Sequence, residues 1–194
     1  MPFGLVPVRY KSGAPYNGAC NVYSVASGET NNIFIGDPVI ISGTGDAAGV
    51  PGVALAAAGD RITGVVIGFA PKDGVTAGST TALNRGYRAA SEADYLLVAD
   101  DYNLLFEATE DGVGGFLATT SIGNNVDLVA GSGSVYTKQS GYMLDSSTAA
   151  TTSAQVRIVG VSPRVNNTIG TTSTAWLVSI VEATETPAAG TTGV

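Results

Sequence analysis

The sequence lacks the side chains on which most catalytic sites depend. Its 194 residues include no histidine, one cysteine and only 13% charged residues. Histidine is the usual general acid or base near neutral pH, and histidine and cysteine are the usual ligands of transition metals. We therefore expect no catalytic residues, no metal site and no cofactor, and we expect that the protein is not an enzyme.

A single cysteine, Cys20, excludes an intrachain disulfide, so the fold must be stable without covalent cross-links. We expect Cys20 to be a small buried residue rather than a reactive thiol. The sequence also lacks an apolar run of the roughly 18 residues that span a bilayer, and its N-terminus lacks the basic and apolar regions of a signal peptide. We expect no membrane partner.

Positive charge is scarce, because nine Lys and Arg residues stand against 16 Asp and Glu residues, a net charge of −7. Such a chain repels phosphate backbones, so we expect no nucleic-acid partner. The acidic excess is typical of a soluble surface, and the alternative interpretation is a preference for a basic partner surface.

Glycine and short apolar runs are abundant. The chain has 26 Gly and 8 Pro, and β-branched and aromatic runs end at Gly, Asp, Asn or Pro, which is typical of strands joined by turns. The pattern predicts an all-β fold, a single β-barrel or β-sandwich-like domain with long loops and little helix. The predicted strands are Ile33–Ile35, Val39–Ile41, Ile62–Phe69, Tyr95–Val98, Asn103–Ala108, Val156–Val161 and Trp176–Val181.

Local signals predict bends between these strands. Gly36-Asp37-Pro38 predicts a kink or bulge, and Gly64 and Gly68 predict close backbone approach in a closed or nearly closed sheet. Residues 95–108 predict a hairpin that turns at the two aspartates 100 and 101, and residues 112–120 are a candidate short helix.

Three segments are poor in large apolar side chains. We expect an extended N-terminal arm over residues 1–20, a β-rich domain over residues 21–183 and a flexible C-terminal tail over residues 184–194, with residues 42–60 as a long loop. Proline at three positions stiffens the arm and lowers the entropy lost on docking. The alternative is that the arm is an ordinary exposed leader.

Acidic pairs are the remaining candidates for chemistry. Two such carboxylates could serve a glycosidase, and Asp100–Asn103 offers oxygen ligands for calcium. Acids in turns are usually solvated turn formers, and the spacing of an EF-hand is absent, so we expect neither role. The candidate pairs are Asp100 with Asp101, Glu110 with Asp111, and Glu92 with Asp94.

Short strings spread over nearly the whole chain resemble a known group. They are Phe3–Arg9, Gly13–Gly18, Ile35–Val39, Gly64–Phe69, Ile122–Val129, Ser140–Asp145, Val156–Gly160 and Trp176–Val178. In this order and spacing they resemble the decoration, or cement, proteins of tailed-bacteriophage capsids. None of the strings is a catalytic signature.

The resemblance implies a structural virion protein that binds the outer surface of an icosahedral capsid and stabilises its lattice. The expected partners are the major capsid protein and neighbouring copies of this chain, in a trimer or dimer, and the expected location is the outside of the virion after synthesis in the bacterial host cytoplasm. We expect Phe3, Leu5, Arg9, Tyr10 and Tyr16 to make the contacts. A form lacking residues 1–16 is then expected to fold but to dock poorly.

The alternative function is a tail-associated or surface module that binds glycans. Such a module needs a concave site lined by aromatic and acidic side chains. The densest group of these in the sequence comprises Tyr87, Tyr95, Tyr102 and Asp100.

Overall fold

The computed structural model describes residues 2–70, 86–171 and 173–181, and within them the protein is all-β, as predicted. Two short 3-10 turns are the helical elements of these residues, at Thr119–Ser121 and Ser146–Thr148. The strands are β1 Val6–Tyr10, β2 Asn21–Val25, β3 Ile33–Phe34, β4 Pro38–Gly45, β5 Pro51–Leu55, β6 Gly64–Ala70, β7 Tyr87–Arg88, β8 Asp94–Ala99, β9 Leu104–Thr109, β10 Asn125–Val126, β11 Leu128–Val129, β12 Met143–Leu144, β13 Val156–Val161 and β14 Ala175–Ile180.

Five strands form a closed barrel in the order β2-β5-β4-β6-β8. The pairs are antiparallel except β2 with β5, which are parallel and meet at Ser24 and Gly52. A Cβ on Gly64 would lie 2.6 Å from the carbonyl oxygen of Ala99, so the close approach predicted there is confirmed. The register of β6 shifts between Val66 and Gly68, which bends the strand around the barrel.

Five further strands form an antiparallel sheet in the order β1-β9-β14-β13-β10. Side chains alternate between the faces of a strand. The inner face of this sheet carries Phe106, Trp176 and Val178, all with no exposed surface. Together with residues of the barrel they form the larger apolar core.

The barrel strands β6 and β8 contribute to two cores at once. Val66 and Val98 pack inside the barrel, whereas Val65 and Ala99 pack in the core beneath the five-stranded sheet. The wall of the barrel that contains β6 and β8 therefore serves as the second layer of a sandwich-like arrangement.

The predicted hairpin over residues 95–108 is wrong. The two strands and the acidic turn exist, but β8 pairs with β2 and β6 in the barrel, whereas β9 pairs with β1 and β14 in the sheet. The Asp100–Asn103 turn therefore connects the two layers instead of closing a hairpin.

Two other segments differ from the prediction. Residues 42–60 are not one long loop, because β4 continues to Gly45 and Pro51–Leu55 is a strand of the barrel. Residues 112–120 do not form a helix; they are irregular and end in the 3-10 turn at Thr119–Ser121.

The N-terminal segment is built into the domain and is not an extended arm. Val6–Tyr10 forms the edge strand β1, paired with β9. Pro7 fits there because an edge strand has one side on which the missing N–H is not needed. The predicted tail over residues 184–194 lies outside the described residues.

Candidate interaction surface

The five predicted contact residues occupy three different environments. Leu5 is 1% exposed and belongs to the core beneath the sheet, so it is a stability residue and not an exposed contact. A form lacking residues 1–16 would lose β1 and this core residue, and the expectation that it folds normally is corrected.

Tyr10 and Tyr16 pack against the edge of the same core. Their rings are 6.4 Å apart and tilted by 52°, a favourable aromatic geometry. The Tyr16 hydroxyl donates to the carbonyl of Ala19 at 2.7 Å, and burial, followed by the thiol of Cys20, raises the pKa of Tyr16 to about 12. The contact between the two rings holds the segment that follows β1 against that strand.

Phe3 lies beneath an arginine on the outside of the sheet. The guanidinium carbon of Arg164 is 4.6 Å from the centre of the Phe3 ring, within the range of a cation–π interaction. Arg164 also forms an ion pair with Glu107, a carboxylate that is 6% exposed. The Glu107 charge is thus neutralised on the outer face of β9.

Arg9 lies on that same outer face. In antiparallel sheets, directly opposed residues share a face, and here Arg9 lies opposite Leu105, Leu105 opposite Ser179, and Ser179 opposite Arg157. Three strand spacings separate the two arginine backbones, about 14 Å. Between them Leu105 and Ser179 are buried.

Lys11 extends this row of cations. Its ammonium donates to the carbonyl of Tyr102 at 2.8 Å, and its pKa is lowered by burial and then by the positive charge of Arg157, while Asp101 opposes this shift. We call the surface formed by Arg9, Lys11, Arg157 and Arg164 the basic face. All four residues are exposed.

Few side chains of the basic face form interactions with carboxylates of the fold. Arg157 donates to the side-chain oxygen of Asn125 at 3.0 Å, and Arg164 pairs with Glu107. Within the described ranges, no carboxylate forms an ion pair with Arg9, Lys11 or Arg157. Four of the nine cationic residues of an acidic chain therefore share one face, and three of them form no ion pair with the described part of the chain.

Three of the eight strings that carry the resemblance to decoration proteins meet at one junction between the barrel and the sheet. The N–H of Leu5 donates to the carbonyl of Gly36 at 2.9 Å, and the N–H of Ser140 donates to the carbonyl of Ile35 at 3.0 Å. A Cβ on Gly4 would lie 2.4 Å from both the Gly36 oxygen and the Ser140 side chain. The predicted kink at Gly36 is confirmed, and close contact requires glycine there.

Asp37 is the buried acid of this junction. Its carboxylate accepts from the N–H of Phe34 at 2.7 Å and from the hydroxyl of Ser140. Burial raises its pKa to about 6, against the opposing effect of these two hydrogen bonds. Asp37 therefore organises the turn, as predicted. Because its carboxyl group is buried, the free energy of unfolding depends on pH.

The aromatic and acidic group of the glycan alternative is not assembled into one site. Tyr95 and Asp100 lie at the two ends of β8, about 16 Å apart at the rise of a strand. The Tyr95 hydroxyl donates to Asp46, whereas Asp100 accepts from Asn21 and Tyr23. Tyr87 stacks on Phe34, with ring centres 5.3 Å apart, and Tyr102 is partly exposed next to Lys11.

The acidic pairs serve the fold. Glu110 is fully buried, and its carboxylate accepts from the N–H of Leu117 at 2.6 Å and from the indole of Trp176 at 3.2 Å. Asp101 accepts from the N–H of Asn103 in its turn. The residues that the structure describes contain no group of three His, Cys, Asp or Glu side chains that could hold a metal ion.

Cys20 is partly exposed and not buried as expected. Burial and the nearby Asp100 carboxylate both raise the pKa of its thiol, which keeps the less nucleophilic protonated form.

The predicted contact residues did not include three members of the basic face: Arg157, Arg164 and Lys11, which the sequence places on the expected arm beside Arg9. The sequence contains a signal for Arg157. This residue stands between the apolar Val156 and Ile158, and in a strand such alternation points it away from the core. No comparable signal marks Arg164, which lies in a connection between strands.

Comparisons of this chain with protein families, with curated proteins and with solved structures find no match. In the described part of the chain, no helix has both the length and the apolar character needed to cross a membrane.

Proposed function

We propose that this protein is a structural decoration protein that binds the outer surface of an icosahedral phage capsid and stabilises the lattice of its major capsid protein. The observation that carries the proposal is the junction described above. Three of the strings that resemble decoration proteins, around Gly4, Gly36 and Ser140, lie far apart in sequence yet contact one another directly.

The N-terminal string of that junction continues into β1 and reaches the basic face through Arg9. A decoration protein needs a stable β-domain and an accessible surface with unused binding capacity. Repeated over a lattice, even weak contacts through such a surface add up through avidity.

Co-sedimentation with tailed-phage heads tests the proposal. Expanded heads without decoration protein are the target, and unexpanded procapsids are the matched control. We expect saturable binding to expanded heads and little or none to procapsids. Failure to bind either particle would overturn the proposal.

A further inference from the structure

We propose that the basic face is the surface that docks on the capsid, and that it recognises an acidic patch of the assembled lattice. This inference rests on the proposed function, and it adds which side of the molecule faces the capsid and which chemistry is recognised. The partner surface is part of a protein and bears carboxylates, and Arg9 and Arg157 are the principal contacts with it.

The distribution of charge selects this face. The whole chain carries −7, yet the outer face of the sheet holds four exposed cations against two acids, the buried Glu107, which Arg164 neutralises, and the exposed Asp101 near Lys11. A protein with a basic face on an otherwise acidic body is oriented by the field of an acidic partner before contact.

The geometry of the face suits a protein partner. Arg9 and Arg157 are the two ends of one cross-strand row, and Leu105 and Ser179 between them are already covered. The two arginines therefore extend from backbones about 14 Å apart, a separation suited to an extended protein surface. Guanidinium groups bind carboxylates in pairs of parallel hydrogen bonds.

Phe3 adds an apolar group to the basic face, beneath Arg164. Phe3 is partly buried under the Arg164 guanidinium, which is held in turn by Glu107. An aromatic ring held in place loses little entropy on docking, and aromatic and arginine side chains are enriched at protein interfaces.

The test compares two double charge reversals in the full chain. Arg9→Glu with Arg157→Glu alters the basic face, and Arg61→Glu with Lys138→Glu makes the same change of net charge at exposed residues elsewhere. Thermal melting establishes that both variants are folded. Binding to expanded undecorated heads is then measured by co-sedimentation, and the oligomeric state by sedimentation velocity.

We expect the first variant to bind heads about 100-fold more weakly than the unaltered protein, because glutamates would oppose the carboxylates of the lattice. The Arg61 and Lys138 variant should bind within about 3-fold of the unaltered protein, because it leaves the contact intact.

Other outcomes overturn the inference in distinguishable ways. Equal, undiminished binding by both variants would reject the docking face while leaving the decoration function standing. Equal loss in both would show a response to net charge alone. Loss of self-association with unchanged head binding would assign the face to a second copy, and face-dependent binding of duplex DNA would assign it to nucleic acid. If the unaltered protein binds no heads, both proposals fail.

Discussion

Arginine is used in opposite ways in two regions of this molecule. Arg88, on β7 beside the barrel, is 1% exposed and donates to the backbone carbonyls of Ala26, Glu29, Asn31 and Glu92. Arg9, on the sheet, is exposed and has no side-chain partner among the described residues. The hydrogen-bonding capacity of one guanidinium is satisfied by the fold, whereas that of the other is available to a partner.

The buried arginine explains how irregular loops next to the barrel are held. Burial lowers the pKa of Arg88, and the charges of Glu29, Asp94 and Glu92 oppose this shift. A guanidinium has five donors in a fixed plane, which lets one side chain bind several loop carbonyls at once.

The largest expected effect comes from removing this arginine. Arg88→Ala removes a donor from four carbonyls and opens a cavity at a buried site, so it should lower the free energy of unfolding by about 3–5 kcal/mol. Urea denaturation measures the change. Arg9→Ala is the matched control and should lie within about 0.5 kcal/mol of the unaltered protein. Similar effects of the two substitutions would contradict the comparison.

The Leu5→Ala substitution tests whether the N-terminal segment belongs to the core or to the proposed docking surface. Because Leu5 is buried under the sheet, its truncation should lower the free energy of unfolding by about 2–4 kcal/mol. Val8→Ala, at an exposed position of β1, should have little effect. A stable Leu5→Ala protein that fails to bind heads would restore the interpretation of the segment as an arm.

The raised pKa of Asp37, at the junction of the two layers, predicts that the free energy of unfolding depends on pH. Its folded-state pKa of about 6 lies above the ordinary 3.8, so the folded state holds its proton more tightly than the unfolded state. The stability from this proton is complete below about pH 4 and is lost as pH rises towards 6. The difference between a pKa of about 6 and the ordinary 3.8 corresponds to a loss of about 3 kcal/mol in the free energy of unfolding.

Urea denaturation at pH 4 to 7 tests this dependence as a difference between the unaltered protein and Asp37→Asn. The asparagine can still accept from the N–H of Phe34 but cannot ionise in this range. The advantage of the variant should therefore grow as pH rises from 4 to 6. A difference that does not change with pH would show that Asp37 has an ordinary pKa.

The smallest expected effect on stability belongs to the basic face itself. Arg157→Ala removes one exposed side chain and its hydrogen bond to Asn125, so we expect a change of at most about 0.5 kcal/mol in the free energy of unfolding. Its head binding should nevertheless weaken. A large loss of stability would assign Arg157 to the fold and remove it from the docking surface.

The sequence predicts strands well where apolar side chains alternate with polar ones, as in Val156–Val161, and it predicts the bends at Gly36 and Gly64. It fails at Pro51–Leu55, because small residues give a barrel strand the composition of a loop. It also fails at Pro7, since proline in an edge strand has the same local signature as proline in an extended arm.

The basic face could not be predicted because it depends on pairing between distant segments. Arg9 and Arg157 share a face only because β9 and β14 lie between β1 and β13. The turn at Asp100–Asn103 has the same local chemistry whether its strands pair or separate into different layers. Strand order is set by the two cores, and local turn residues do not encode it.

The most direct test of the account is a binding isotherm of the unaltered protein on expanded, undecorated heads at low and high salt. Charge recognition through the basic face predicts saturable binding at about 0.05 M salt that weakens markedly at about 0.5 M, where screening acts over a few ångströms. Saturable binding insensitive to salt would contradict the docking face. Absence of saturable binding at either salt concentration would contradict the decoration function.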